Sequence, residues 1–278
     1  MPIYFKDNFD GCPKVLTVNK EAYPMSIYEA KRFVWADSFY KGNYTCIPQK
    51  YNGVPVSRIE ARAFLEGFHA DHSHFNSFEV EINGMVLKDH FEFVGEAKEI
   101  TKEGYEKHIV TLKYPSLNVL IDCITLLDGS SFMTRYLNIK NGGDKPFYVS
   151  AIYPLAGMLY SECHANSLYA EHLRPKYKLG TYKDNYYLGE GEFCWMDLDK
   201  ATTKFSHEHP MFNPPLYILK DDIQSIYTLI SIESSLMTEA EFSVVGDYFL
   251  GRNVDNQDYL YFKVGADRRA TYRLVSPG

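Results

Sequence analysis

The stretch that decides the fold runs from His108 to Tyr153 and reads HIVTLKYPSLNVLIDCITLLDGSSFMTRYLNIKNGGDKPFYVSAIY. It contains four segments rich in β-branched and aromatic residues: His108–Tyr114, Val119–Leu127, Phe132–Lys140 and Phe147–Tyr153. Two of the breaks between them, Asp128-Gly129 and Asn141-Gly142, carry the dipeptides that favour the positive φ angles of tight hairpin turns. Strands joined by such short turns run antiparallel. The sequence therefore predicts an antiparallel sheet and argues against an α/β nucleotide-binding fold.

The segment Val119–Leu127 indicates more than one sheet, because it is apolar on both of its faces. A strand of this kind is covered on both sides. Other strand-like segments bring the total to about fourteen. They are Arg32–Trp35, Phe78–Ile82, Met85–Leu87, Phe91–Ile100, Tyr105–Tyr114, Leu216–Leu219, Ser225–Glu233, Phe242–Phe249, Tyr259–Val264 and Ala270–Val275. We therefore predict an all-β protein, a large two-sheet antiparallel sandwich in which residues 1–278 form a single domain.

Two segments depart from this pattern. Ile59–Phe68 is the one window with helical spacing of apolar residues, and Gly67 would end such a helix. In residues 155–215 the periodicity is lost, and Gly, Pro, His and Tyr dominate. A long irregular segment inside a compact domain is usually functional. We therefore look for binding residues there.

Composition excludes several classes of function. The formal charge is −7, from 29 basic and 36 acidic residues, and the basic residues form no patch or stripe. This argues against a nucleic-acid partner. The five cysteines include no CxxC motif, which fits unpaired thiols in a reducing compartment. There is no signal-peptide pattern and no apolar run of membrane-spanning length. We expect a cytoplasmic protein with no membrane partner.

One charged residue falls on a predicted core face. Arg135 shares a strand face with Met133, Leu137 and Ile139. A buried arginine is costly unless it is paired. Either an internal ion pair or a ligand contact near a rim would satisfy it, and we favour the ion pair.

A histidine cluster offers a possible metal site. His69, Asp71, His72 and His74 lie within six residues and carry the donor atoms that zinc prefers. No second cluster of cysteine or histidine lies at a spacing that would complete the site. We therefore favour a polar loop and assign no metal and no cofactor.

The candidate ligand-binding residues are Trp195, His207 and His209. An indole ring can stack on a sugar ring, and imidazoles can hydrogen-bond its hydroxyl groups. The alternative is a surface loop stiffened by Pro210, Pro214 and Pro215. A His/Glu pair for proton transfer could exist, but nine histidines and many glutamates prevent a choice, so we assign no catalytic residue.

The segment 108–159 also resembles a known family. It places Ile109-Val-Thr-Leu before Val119–Leu127, then Met133-Thr-Arg-Tyr-Leu-Asn-Ile-Lys-Asn-Gly-Gly143, then Phe147-Tyr-Val-Ser150. This order resembles the N-terminal β-supersandwich domain of glycoside hydrolase family 36, the α-galactosidases and their relatives. The order Gly191, Trp195, Ser206-His207, Pro210 and Phe212 is similar to a later segment of that family.

The resemblance implies a galactose-mutarotase-like supersandwich that is the N-terminal domain of a longer enzyme. In that family the catalytic carboxylates lie in a following barrel domain, so none can be carried over to this chain. The resemblance implies a non-catalytic domain that supports the barrel, contributes to a homo-oligomer and lends a loop to an oligosaccharide or sugar ligand. The alternatives are a free-standing aldose 1-epimerase-like enzyme and a sugar-binding module without an enzymatic parent.

Overall fold

A computed structural model gives the fold. It describes residues 15–18, 21–30, 33–47, 49–50, 76–160, 177–183, 192–198, 202–207, 214–221, 226–233, 237–246, 258–266, 269 and 272–278. The strands are β1 (Val15–Val18), β2 (Glu21–Ala30), β3 (Phe33–Tyr40), β4 (Asn43–Ile47), β5 (Gln49–Lys50), β6 (Glu79–Ile82), β7 (Met85–Val86), β8 (Glu92–Ile100), β9 (Glu106–Tyr114), β10 (Val119–Leu127), β11 (Met133–Asn141), β12 (Phe147–Tyr160), β13 (Tyr177–Lys183), β14 (Glu192–Asp197), β15 (Thr202–His207), β16 (Leu216–Asp221), β17 (Ile226–Ser231), β18 (Thr238–Gly246), β19 (Asp258–Ala266) and β20 (Arg273–Val275). Within these ranges the only helical element is a 3₁₀ turn at Pro115–Leu117.

The strands form four hydrogen-bonded sheets. The largest runs in the order β15-β18-β19-β12-β6-β7, with β20 and β5 also paired to β12. The other three run β1-β2-β3-β4, β11-β10-β9-β8 and β14-β13-β16-β17. Pairing is antiparallel except for the short parallel contact between β5 and β12.

Two hydrophobic clusters show how the sheets stack. One joins β18 and β19 of the large sheet to β13, β16 and β17, with Trp35 and Cys46 among its buried members. The other joins β6 and β12 of the same sheet to β9 and β10. The large sheet is therefore one layer, and two four-stranded sheets cover its two halves.

The expected all-β antiparallel sandwich is confirmed. The strand expected at Val119–Leu127 has those bounds, and seven of its nine residues are buried. Gly129 has the positive φ expected at Asp128-Gly129, 81°, and β10 pairs with β11 across that turn. The turn expected at Asn141-Gly142 differs, because neither residue has positive φ and the strand that follows, β12, belongs to the large sheet. The opposing layer differs from the expectation, because it consists of separate four-stranded sheets rather than one continuous sheet.

The expectation of an irregular segment over residues 155–215 is wrong for its described parts. The end of β12 and the strands β13, β14 and β15 lie within it. In β13, Tyr177, Leu179 and Thr181 are buried while Lys178 and Tyr182 are half-buried, the pattern of a strand with one face in the core; Gly180 is buried as well. Because these positions hold Tyr, Thr and Gly as well as Leu, a pattern of aliphatic residues does not reveal the strand.

The remaining predictions concern a helix, a histidine cluster, the cysteines and membrane-spanning helices. The helix expected at Ile59–Phe68 and the cluster of His69, Asp71, His72 and His74 lie outside the described residues. Cys123 and Cys194 are free thiols. In the described part of the chain no helix is long and apolar enough to cross a membrane.

The expected internal ion pair of Arg135 is confirmed. Its Nη2 atom lies 2.6 Å from Oδ2 of Asp37, and the two side chains are 1% and 0% exposed. The other carboxylate oxygen of Asp37 accepts hydrogen bonds from Nε1 of Trp35, at 2.8 Å, and from the hydroxyl of Ser77. Thr125 accepts hydrogen bonds from the Nε and Nη2 atoms of Arg135. The pair thus links β3 to β11 across the interior.

We predict that this pair contributes strongly to stability. Asp37→Asn or Arg135→Gln should each lower the free energy of unfolding by about 3–5 kcal/mol, because each leaves a buried group without its partner. The double variant should lose clearly less than the sum of the two single losses. Urea denaturation of all three variants measures this.

The chain offers a matched control in Lys140, whose Nζ atom also lies 2.6 Å from a carboxylate oxygen, Oδ2 of Asp122. The Lys140 side chain is 55% exposed, so Lys140→Gln should cost less than about 1 kcal/mol. Equal losses at Lys140 and Arg135, or strictly additive losses at Asp37 and Arg135, would contradict the prediction.

Candidate functional site

The sheet β14-β13-β16-β17 has two unlike faces. Its inner face carries Tyr177, Leu179, Tyr217 and Leu219, all buried in the first hydrophobic cluster. Successive side chains on a strand point to opposite faces. The residues between these four therefore lie on the outer face, away from the large sheet.

The outer face is unusually aromatic for an exposed surface. It carries Phe193 and Trp195 on β14, which are 37% and 47% exposed. On β17, Tyr227 and Leu229 are 58% and 46% exposed. Tyr182 on β13 is half-buried beside them. We call Tyr182, Phe193, Trp195 and Tyr227 the aromatic layer.

The four rings of the aromatic layer form a continuous chain of contacts. The ring centroids of Tyr182 and Phe193 are 5.3 Å apart, and those of Phe193 and Trp195 are 5.6 Å apart. Trp195 and Tyr227 follow at 6.5 Å, although they lie on the two edge strands of the sheet. Each contact is edge-to-face, the geometry that aromatic pairs prefer. The layer therefore crosses the whole sheet.

Gly180 makes this arrangement possible. It pairs with Trp195 on one side and with Ile218 on the other. A Cβ atom at Gly180 would lie 2.6 Å from Cζ of Phe193 and 3.0 Å from Cη2 and Cζ3 of Trp195. The six-membered ring of the indole thus occupies the space above the glycine, which leaves part of the indole open to solvent.

Three charged side chains lie on the same face as the aromatic layer. Lys178 and Asp197 face each other across β13 and β14, with 3.9 Å between Nζ and Oδ1. Lys220 stands across from Lys178 on one side and from Tyr227 on the other. Their formal charges sum to +1, so this face holds no cluster of like charges that would attract a highly charged ligand strongly.

The structure does not bring the predicted binding residues to one surface. Trp195 lies on the exposed outer face of its sheet. His207 ends β15 and is 2% exposed, with its ring 5.6 Å from that of Tyr217 on the inner face. His209 lies outside the described residues. The role of all three in sugar binding stays a prediction.

A His/Glu pair does exist, on β9. Nε2 of His108 and Oε2 of Glu106 are 3.3 Å apart, and Lys98 approaches the same carboxylate oxygen at 2.6 Å. His108 stands directly across from Thr125, which in turn stands across from Arg135. The pair therefore belongs to a row of polar residues that leads to the buried ion pair.

The surroundings of this pair determine its protonation. The hydrogen bond from Lys98 lowers the pKa of Glu106, although burial opposes it. Burial lowers the pKa of His108, while the hydrogen bond with Glu106 raises it. The carboxylate is therefore ionised and the imidazole neutral at neutral pH, an arrangement in which either group could accept a proton.

The sequence alone does not identify the residues that hold Trp195 in place. The spacing of Phe193 and Trp195, two positions apart, would indicate one strand face. The contributions of Gly180 and Tyr227 depend on which strands pair and in which register, and no local signal shows that. Among the described ranges, no group of His, Cys, Asp or Glu residues could hold a metal ion.

Comparison with known proteins gives the fold a context. No protein-family profile and no curated protein matches the chain. A GH36 alpha-galactosidase from Geobacillus stearothermophilus matches 91% of it with a TM-score of 0.63 and 13% identity. The galactosidase domain of an alpha-galactosidase-sucrose kinase matches 91% with a TM-score of 0.61 and 10% identity. An alpha-galactosidase from Lactobacillus brevis matches 92% with a TM-score of 0.56 and 7% identity.

These similarities confirm, at the level of the fold, the resemblance that the sequence suggested. The match covers 38% of the chain of each of these three enzymes. The present chain thus spans about two fifths of the solved structures that it matches. At identities of 7–13% the comparison shows the fold and leaves the activity open.

We predict that His108 makes stability depend on pH. Its folded-state pKa lies below the ordinary value of 6.5, so the unfolded chain takes up a proton more readily. The contribution of His108 is therefore present above about pH 6.5 and is lost as the pH falls below it. His108→Gln should flatten this loss between about pH 7.5 and pH 5.5.

Urea denaturation across that pH range checks the prediction, with His90→Gln as the control at an exposed histidine. The control should keep the pH dependence of the parent protein. Curves of the same shape for the parent protein and His108→Gln would contradict the prediction.

Proposed function

We propose that this chain is the non-catalytic N-terminal β-sandwich domain of an α-galactosidase-like glycoside hydrolase, in which it supports a catalytic barrel. The proposal rests on the structural similarity between this chain and the α-galactosidases. Nine tenths of this chain match α-galactosidases, and the match leaves 62% of those enzymes without a counterpart here. In this proposal the catalytic groups belong to that remaining part.

An exposed apolar patch near Gly278 supports the proposal. Tyr148 and Leu274 face each other on β12 and β20 and are 45% and 53% exposed. Tyr272 is 70% exposed, and its ring lies 5.8 Å from that of Tyr148. We call these three residues the C-terminal patch. Exposed apolar patches of this kind mark surfaces that meet another protein part.

The main chain near this patch is firmly held. β20 pairs with β12, and the amide of Asn141 donates hydrogen bonds to the carbonyl oxygens of Lys145 and Val275. The backbone N–H of Gly278 donates to the carbonyl oxygen of Asn141. A barrel joined at this point would start from a fixed position beside the C-terminal patch.

The proposal includes a sugar contact, a homo-oligomer and a cytoplasmic location. The residues that follow β15, His209 among them, would lend contacts to the sugar site. The free thiols of Cys123 and Cys194 support a reducing compartment. Nucleic acid and membrane are not proposed as partners.

A second candidate is a free-standing aldose 1-epimerase-like enzyme, and the contact between His108 and Glu106 is the observation that favours it. Ring opening of an aldose needs a group that accepts a proton and one that donates it. A third candidate, a sugar-binding module without an enzymatic parent, shares the fold.

We predict that the 278-residue chain does not hydrolyse an α-galactoside, whereas the longer natural protein does. Release of nitrophenol from p-nitrophenyl α-galactoside measures this for both. The chain alone should also leave the mutarotation of a panel of aldoses at its spontaneous rate. Hydrolysis by the chain alone would contradict the non-catalytic role, and faster mutarotation would favour the epimerase.

A further prediction concerns the C-terminal patch. The double variant Tyr272→Ser and Leu274→Ser should lower the melting temperature of the longer protein by several degrees, because apolar contacts with the barrel are lost. In the 278-residue chain, where both side chains are exposed, the shift should be within about 2 degrees. Tyr136→Ser, at a 40% exposed tyrosine on β11, is the matched control and should change neither protein. Equal shifts in both proteins would contradict docking at this patch.

A further inference from the structure

We propose that the aromatic layer is a binding surface for neutral carbohydrate that the 278-residue chain carries by itself. The inference goes beyond the support of a barrel, because it assigns a ligand to the outer face of β14-β13-β16-β17. It stands on the ring contacts, the exposure and the low net charge of that face.

The chemistry of the rings fits a sugar. Pyranose rings carry C–H bonds on their faces and hydroxyl groups at their edges. The apolar face of an aromatic ring can pack against the C–H bonds of the sugar, and the hydroxyl groups of Tyr182 and Tyr227 can hydrogen-bond the sugar hydroxyl groups. The layer runs from Tyr182 on β13 and Phe193 on β14 through Trp195 to Tyr227 on β17. It therefore offers several adjacent positions to successive sugar units.

The exposed area of the rings suits a short stretch of polysaccharide. A large aromatic side chain presents about 150–250 Å² when fully exposed, so these partly exposed rings offer roughly 300–400 Å² in all. This area is enough for a few sugar units.

The charge of this face indicates which kind of carbohydrate it binds. Lys178 stands across from Asp197, and Lys220 stands across from Lys178 and Tyr227. A net charge of +1 is small beside the cluster of basic residues that an acidic polysaccharide needs. We therefore assign a neutral polysaccharide to this face.

The two tryptophans of the chain give the proposal a direct reporter. Trp35 is 1% exposed, whereas Trp195 is 47% exposed. Acrylamide should therefore quench the fluorescence of Trp195 and spare that of Trp35. A sugar bound to the aromatic layer would protect Trp195.

The test is affinity electrophoresis of the 278-residue chain in native gels that contain galactomannan, glucomannan, mixed-linkage β-glucan or soluble starch. At least one of them should retard the chain and protect Trp195 from acrylamide. Trp195→Ala and Tyr227→Ala should weaken the retardation at least about fivefold, since each removes a stacking ring. Tyr272→Ala is the matched control at an exposed tyrosine outside the layer and should be retarded as the parent is.

Gly180→Ala gives a second, independent variant. The added Cβ would displace the rings of Phe193 and Trp195 without removing either. It should weaken the retardation while circular dichroism stays unchanged.

Four results would overturn the proposal: retardation by none of the neutral polysaccharides, equal retardation of Trp195→Ala and the parent, retardation by dextran sulfate alone, or protection of Trp195 before any sugar is added. The last would show that a second copy of the chain covers the layer. All four are independent of α-galactoside hydrolysis, so this inference and the proposed function can fail separately.

Discussion

The buried pair of Asp37 and Arg135 is the interaction on which the sandwich depends most. Both side chains are out of contact with water, so each charge needs the other. The carboxylate also receives the indole N–H of Trp35 and the hydroxyl of Ser77. The guanidinium donates hydrogen bonds to the hydroxyl of Thr125 on β10 and lies 5.7 Å from the centroid of the Trp35 ring. A single polar centre thus fixes β3, β10 and β11 relative to one another. Apolar contacts alone would allow these strands to slide, because the hydrophobic effect has no direction.

Each tryptophan lies over a glycine, with opposite results. A Cβ on Gly157 would lie 2.4 Å from Cη2 of Trp35, which is buried beside the ion pair. A Cβ on Gly180 would lie 3.0 Å from Trp195, which remains open to solvent. In the first case the glycine allows close packing between sheets. In the second case Gly180 leaves room for the exposed ring of Trp195 on the surface of one sheet. Trp35 is therefore a core residue, whereas Trp195 is a candidate binding residue.

The sequence predicts the features that depend on neighbouring residues. The apolar faces of Val119–Leu127, the turn at Asp128-Gly129 and the pairing of Arg135 follow from local pattern and from the cost of a buried charge. It does not predict features that depend on strand pairing. β13 is missed because Tyr177 and Thr181 replace aliphatic core residues, and β14 because its exposed positions hold Phe193 and Trp195. Nothing local shows that Tyr227 meets Trp195, since Tyr227 is 32 residues further along the sequence and the strands β15 and β16 lie between them. The partner of Arg135 is 98 residues away, so sequence could indicate that a partner exists and not which residue it is.

We propose that this sandwich works as one part of a larger glycoside hydrolase. The structural match covers nine tenths of this chain and about two fifths of the α-galactosidases. The intact mass of the protein isolated from its own cells tests this. We expect a mass well over twice the 32.1 kDa of this chain. A mass of 32.1 kDa would contradict it.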